Sequence, residues 1–226
     1  MHLEIIYRDD YLIAINKLHG LLVHKSGYAR NAGEFAVQLL RDQIGRKVYP
    51  CHRIDRKTGG VLLFALNKET NAMMQQQFAT NRVEKKYLAI VRGFTDETGE
   101  IDYPLTNDKG KIQEAITRYK TADRSEINIS SGKFKTSRYS LVEVLPQTGR
   151  MHQIRKHFAH IMHPIIGDRP HGCNKQNKIF KEKFNMTTMM LHALELRFIH
   201  PKTDQEIIIS AGLQKEFERT KKILNL

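Results

Sequence analysis

Residues 61 to 66 read VLLFAL, an apolar run with no polar side chain to mark a solvent face. The run is far too short to cross a bilayer. It reads as a buried strand, and its placement directly after Gly59 and Gly60 lets the backbone bend where the strand begins. Other short strands surround it in the sequence. LEIIY (3–7) and YLIAI (11–15) flank the turn RDD, KKYLAIVR (85–92) alternates and ends at Gly93, and RYSLVEVL covers 138–145. Residues 194–198 and 206–210 read as a hairpin around PKTD. Helical spacing predicts helices over 34–46, 69–81 and 150–162, with a surface helix in LQKEFERTKKIL. In the third of these, Met151, Ile154, Phe158 and Ile161 fall on one face, and Pro164 stops it. The stretches 98–135 and 172–188 are polar, and the first is expected to hold short strands or loops. Helices interrupt strands irregularly, which predicts one α+β domain over 1–226, built on a largely antiparallel mixed sheet with flanking helices.

Lys and Arg outnumber Asp and Glu by 37 to 24, a net charge of +13. Such an excess selects no fold, but it favours a polyanionic partner because basic side chains displace counterions from phosphates. Nucleic acid fits this better than an anionic membrane. The start, MHLEIIYRDD, is not a secretory signal. Cys51 and Cys173 form no spaced pair, consistent with reduced thiols in a cytoplasm. No sustained heptad argues for an oligomer, so a monomer is expected.

HRIDRKTGG (52–60) concentrates charge immediately before the buried strand. Flanking Arg53 and Arg56 favour the ionised form of Asp55. An ionised carboxylate there is either a nucleophile or base, or half of a structural ion pair, which is the commoner use. Tyr87 opens a strand beside Lys85 and Lys86. Its ring either stacks on an exposed base with lysines on the phosphates, or is a half-buried strand tyrosine. Within TGRMHQIRKHFAH, Arg155 falls at the edge of the apolar stripe and requires an anionic partner if desolvated, unless it snorkels over the core. Asp55 is one fitting partner. His157, His160 and His163 recur every third residue, but no HExxH pattern accompanies them, so no metal site is expected.

Taken together, HRIDRKTGGVLLFA, EKKYLAIVRG and TGRMHQIRKHFAHIMHPIIGD resemble the three motifs of the RluA family of pseudouridine synthases, in order and separation. IIYRDDYLIAINKLHGLLVH is similar to that family's first conserved stretch. Ile54, Gly59 and Leu18 depart from its commonest pattern without removing a reactive group. No S4 RNA-binding module is expected ahead of the catalytic domain. Residues 136–181 are most similar to the family's tRNA-modifying branch, which implies uridine-65 of tRNA as the target, with ribosomal RNA, or RNA binding without catalysis, as alternatives. The resemblance implies that uracil is detached from its ribose, rotated and rejoined through carbon, with no metal, nucleotide or redox cofactor. It implies Asp55 as the essential carboxylate, Arg155 as its basic partner, Tyr87 stacked on the target base, and Arg53 filling the space the flipped base leaves. Arg56, Lys85, Lys86, Arg150, His152 and Lys156 are the expected RNA contacts.

Overall fold

The computed structural model describes residues 1–24, 34–132 and 134–226. Along the chain the elements begin β1 (Ile5–Arg8), β2 (Leu12–Lys17), α1 (Ala36–Ile44), β3 (Tyr49–Pro50), β4 (Gly59–Ala65), α2 (Lys68–Ala79) and β5 (Glu84–Arg92). They continue with β6 (Thr98–Asp102), β7 (Leu105–Thr106), β8 (Ile112–Gln113), β9 (Ile116–Ile127) and β10 (Ser137–Pro146). The last are α3 (Gln153–His160), α4 (Asn174–Phe184), β11 (Leu191–Ile199), β12 (Glu206–Ser210) and α5 (Lys215–Leu224). The fold class is α+β, as the irregular alternation predicts. No helix among the described residues is long and apolar enough to cross a membrane.

The chain forms two compact units. Unit 1 comprises Met1–Lys85 and Ala193–Leu213, and unit 2 comprises Lys86–His192 and Gln214–Leu226. In unit 1, β2 pairs antiparallel with β1 and β4, β3 pairs with the far end of β4, and β11 pairs with β12. The run VLLFAL is continuous because both faces of β4 are covered. Val61, Leu63 and Ala65 join Leu12, Ala14, Met74, Leu196 and Phe198 in one apolar cluster. Leu62, Phe64 and Leu66 join Ile13, Ile15, Ala36 and Leu40 in another. Thus α2 contributes to one cluster through Met74 and α1 to the other through Ala36 and Leu40. Alternation along a strand sends successive side chains to opposite faces, so a strand covered on both sides shows no polar period.

The two glycines act differently from the expected bend. Both lie inside β4, and Gly60 has φ +110 with a would-be Cβ 2.1 Å from the Ala193 carbonyl oxygen. A side chain is excluded there by close backbone approach as well as by conformation. The turn itself lies earlier, where the Thr58 N–H donates to the Asp55 carbonyl at 3.0 Å.

In unit 2, β10 is flanked by β5 and β9, and β6 pairs with β9, all antiparallel. The polar stretch from 98 contains a strand of twelve residues, β9. Its inward positions include Thr117, Tyr119 and Ser125, so burial alternates while hydrophobicity scarcely does. The α4 helix occupies the second polar stretch, where no periodicity marks it. Its buried positions are Gln176 and Phe180, and Gln176 is satisfied by accepting from Tyr139 Oη at 2.7 Å and donating to Ser131 Oγ at 2.7 Å. Buried polar groups held this way leave no apolar stripe in the sequence. Both cysteines are free thiols. Met74, Met189 and Met190 are buried, as gap-filling methionines should be, and Met73 is half-buried.

Candidate active site

In unit 1 the candidate residues lie on a loop fastened from below. The fully buried Lys17, last residue of β2, donates from Nζ to the carbonyls of Leu18, Leu21 and Arg56 at 3.0, 2.9 and 3.2 Å. The Gly20 N–H donates to the Arg56 carbonyl at 2.8 Å, and Arg56 Nε returns a bond to the Gly20 carbonyl at 3.0 Å. One ammonium therefore ties segment 18–21 to the residue beside Asp55. Burial is the main cause that brings the Lys17 pKa down to about 7, with Asp55 opposing the shift and Arg56 adding to it. His19 falls to about 4 through burial and the charges of Lys17, Lys57 and Arg56. The Asp55 carboxylate thus sits in a cationic neighbourhood supplied by its own unit. Asp55 is half-buried, and Arg53 and Arg56 are exposed.

In unit 2, Arg155 lies near the start of α3 and is 4 % exposed. Its Nε and Nη2 each donate to Asp168, at 2.8 Å to Oδ2 and 2.8 Å to Oδ1. A bidentate pair of this kind fixes the plane of the guanidinium as well as its charge. Asp168 is held in turn. Asn177 of α4 donates from Nδ2 to the Asp168 carbonyl at 2.7 Å and accepts from Gly167 N–H at 2.9 Å. Gln153 secures the other side, accepting from Arg150 N–H at 3.0 Å and donating to Ile116 O and Thr117 Oγ1, both at 2.9 Å.

The helix carrying Arg155 is shorter than predicted. His152 has φ 57 and ψ 25, so regular helix starts only at Gln153. A left-handed residue at that point turns Met151 away from the apolar face, and Met151 is 43 % exposed, contrary to its expected place. Arg155 has the anionic partner that its desolvation requires, and that partner is Asp168, which helical spacing does not single out. His157, His160 and His163 go separate ways. His157 Nε2 meets the Tyr103 carbonyl at 3.0 Å, His160 stacks on the Tyr103 ring, and His163 Nδ1 meets the Arg92 carbonyl at 2.8 Å.

The remaining expected RNA contacts distribute between the units. Arg53 and Arg56 share the Asp55 loop, and Lys85 is near enough for its charge to act on His52. Lys86 and Tyr87 lie on β5, with Tyr87 opposite Val144 of β10 and half-buried. Arg150, His152 and Lys156 gather around the start of α3. All three also have structural partners: Arg150 Nε donates to the Glu114 carbonyl at 3.0 Å, and Lys156 Nζ to the Thr106 carbonyl at 3.4 Å. His152 Nδ1 lies 3.0 Å from His171 Nε2. Lys17 and Asp168 are site residues that sequence reasoning missed. A lysine ending a buried strand was the available signal for Lys17; Asp168 closes the third motif, but nothing in its spacing pairs it with Arg155.

Residues 11–160 match the family described as RNA pseudouridylate synthase, and the chain belongs to that family. It is an RNA pseudouridine synthase. Relatives named tRNA pseudouridine synthase C include one from Vibrio vulnificus (strain CMCP6), 46 % identical over 96 % of this chain and 93 % of that protein. Another, from Haemophilus ducreyi (strain 35000HP / ATCC 700724), is 50 % identical over 96 % of this chain and 94 % of its own length. The fold is also similar to that of the solved human RNA Pseudouridylate Synthase Domain Containing 4, with a TM-score of 0.77, 24 % identity and coverage of 98 % of this chain and 93 % of that one.

Proposed function

We propose that this enzyme isomerises a uridine of tRNA, at position 65, to pseudouridine, with Asp55 as the essential carboxylate. The observation that carries the reading is the Asp55 turn: a half-buried carboxylate on a loop fastened by Lys17 to the end of a fully buried strand pair. Relatives bearing the tRNA pseudouridine synthase C name at 46 and 50 % identity support tRNA over other RNA.

A uridine inside a stem must leave the stack before a side chain reaches its glycosidic bond, at a cost of a few kcal/mol. In this reading the exposed Arg53 fills the vacated space, its planar guanidinium both stacking and hydrogen-bonding. Tyr87 stacks on the extruded base. Arg155, held in one orientation by Asp168, is the basic residue of this reading. Arg56, Lys85, Lys86, Arg150, His152 and Lys156 bind phosphates, and the released counterions offset the unstacking. One catalytic domain spanning 1–226 does this as a cytoplasmic monomer with no cofactor.

The test is tritium release from tRNA carrying C5-tritiated uridine. D55N, folded with a wild-type melting profile, should release none above background; turnover near wild type overturns the assignment. Mapping pseudouridines in total RNA from a deletion strain resolves the substrate: loss at one tRNA position supports it, and loss confined to ribosomal RNA rejects it.

A further inference from the structure

The strand β3 leaves β4 just before the reactive loop, and the way it leaves points to His52. The register Tyr49↔Ala65 and Pro50↔Phe64 places Cys51 opposite Leu63. Residues in a hydrogen-bonded antiparallel pair exchange two bonds, each N–H donating to the other carbonyl. Here the first is made: Cys51 N–H donates to the Leu63 carbonyl at 3.0 Å. The second is not the expected one. The Leu63 N–H donates instead to His52 Nε2, at 3.1 Å. An imidazole nitrogen has taken the place of the Cys51 carbonyl.

We infer that His52 is a positioning residue for the reaction: its imidazole ends the β3–β4 ladder by accepting the Leu63 N–H, so that the backbone leaves the sheet and enters the Asp55 turn. The inference rests on the proposed role of Asp55. Leu63 is buried, so its N–H requires an acceptor whatever the chain does next. A side-chain acceptor at residue 52 meets that need while the backbone turns away. The ring cannot swing out easily, because it stacks on Phe78 of α2 with centroids 4.8 Å apart and planes 19° from parallel. To accept at Nε2 the imidazole must be neutral, with its proton on Nδ1. Burial, reinforced by the charge of Lys85, brings its pKa down to about 3, which keeps Nε2 available as an acceptor.

Two substitutions separate the acceptor from the ring. H52Q offers an amide oxygen to the Leu63 N–H but has no aromatic face. H52F keeps the stack on Phe78 and has no acceptor. If the acceptor positions the loop, H52Q keeps kcat on tRNA within about threefold of wild type. H52F then lowers kcat about tenfold or more, with a smaller rise in KM because the released loop also carries Arg53 and Arg56. Equal losses in the two variants, or a larger loss in H52Q, overturn the inference in favour of ring packing. Hydrogen exchange at the Leu63 amide gives a readout independent of activity. It should stay protected in wild type and H52Q and exchange at least about tenfold faster in H52F. Wild-type protection in H52F overturns the inference, as does lost protection in H52Q, the deciding variant if H52F does not fold. Activity retained by D55N would instead remove the proposed function, leaving the Leu63 result interpretable.

Discussion

Each unit buries a cation near its candidate site residues, and the two are held in opposite ways. Arg155 in unit 2 faces a full counter-charge, the Asp168 carboxylate, through two bonds of 2.8 Å. Lys17 in unit 1 donates to three backbone carbonyls. A carboxylate compensates the charge of its partner, whereas carbonyl dipoles satisfy donors without neutralising them. The consequence is visible in Lys17, whose proton is held so weakly that its pKa falls to about 7 even with Asp55 acting to raise it. Unit 2 therefore has a cation fixed in charge and plane, and unit 1 has one whose charge depends on pH and on Asp55.

The comparison is broken most severely by removing Asp168. D168A leaves a buried guanidinium without its bidentate partner, and chemical unfolding should show a loss of roughly 3–5 kcal/mol. The double variant R155M/D168L, which removes both charges, should recover most of that stability and none of the activity. A double variant as unstable as D168A would show that the loss does not come from a stranded guanidinium charge.

K17M comes next, with an expected loss of about 2 kcal/mol at neutral pH because buried carbonyls lose a donor. Its pH dependence sharpens the contrast. The unfolded chain keeps the Lys17 proton up to its ordinary 10.5, while the folded chain releases it near 7. Between those values the unfolded state binds more protons, so wild-type stability rises with pH relative to K17M. Unfolding curves at several pH values for both proteins should diverge upward from about 7. Parallel curves would mean that the ammonium keeps its charge as firmly as the guanidinium does.

The smallest effect is expected at the surface. Lys178 and Glu182 approach to 3.8 Å one turn apart on α4, with side chains 73 % and 60 % exposed. K178A should fall within about 0.5 kcal/mol of wild type. A larger loss would show that burial is not what separates Arg155 and Lys17 from ordinary ion pairs.

Much of the fold was legible because the signals are local. The strands around LEIIY, YLIAI, VLLFAL, KKYLAIVR and RYSLVEVL are found where their patterns place them, and the family follows from three motifs in order. Among the elements that escaped, β9 and α4 share one cause: their inward positions include Thr, Tyr, Ser and Gln, whose burial depends on hydrogen-bond partners far along the chain. Met151 escaped because the left-handed conformation at His152 changes which residues share the helix face.

What the sequence determined by itself was the inventory: which strands are covered on both faces, where charge collects, and which carboxylate, arginine and tyrosine are candidates for the chemistry. Apolar period and residue type act over a few neighbours, so the chain alone carries them. The tertiary structure decided the partners. Asp168 rather than any residue of its own helix holds Arg155, carbonyls from two separate segments hold the Lys17 ammonium, and an imidazole stands in for a backbone carbonyl at the end of a strand. Each is a long-range pairing whose need is written in the sequence as a buried polar group, but whose answer exists only once the fold has brought the donor and acceptor together.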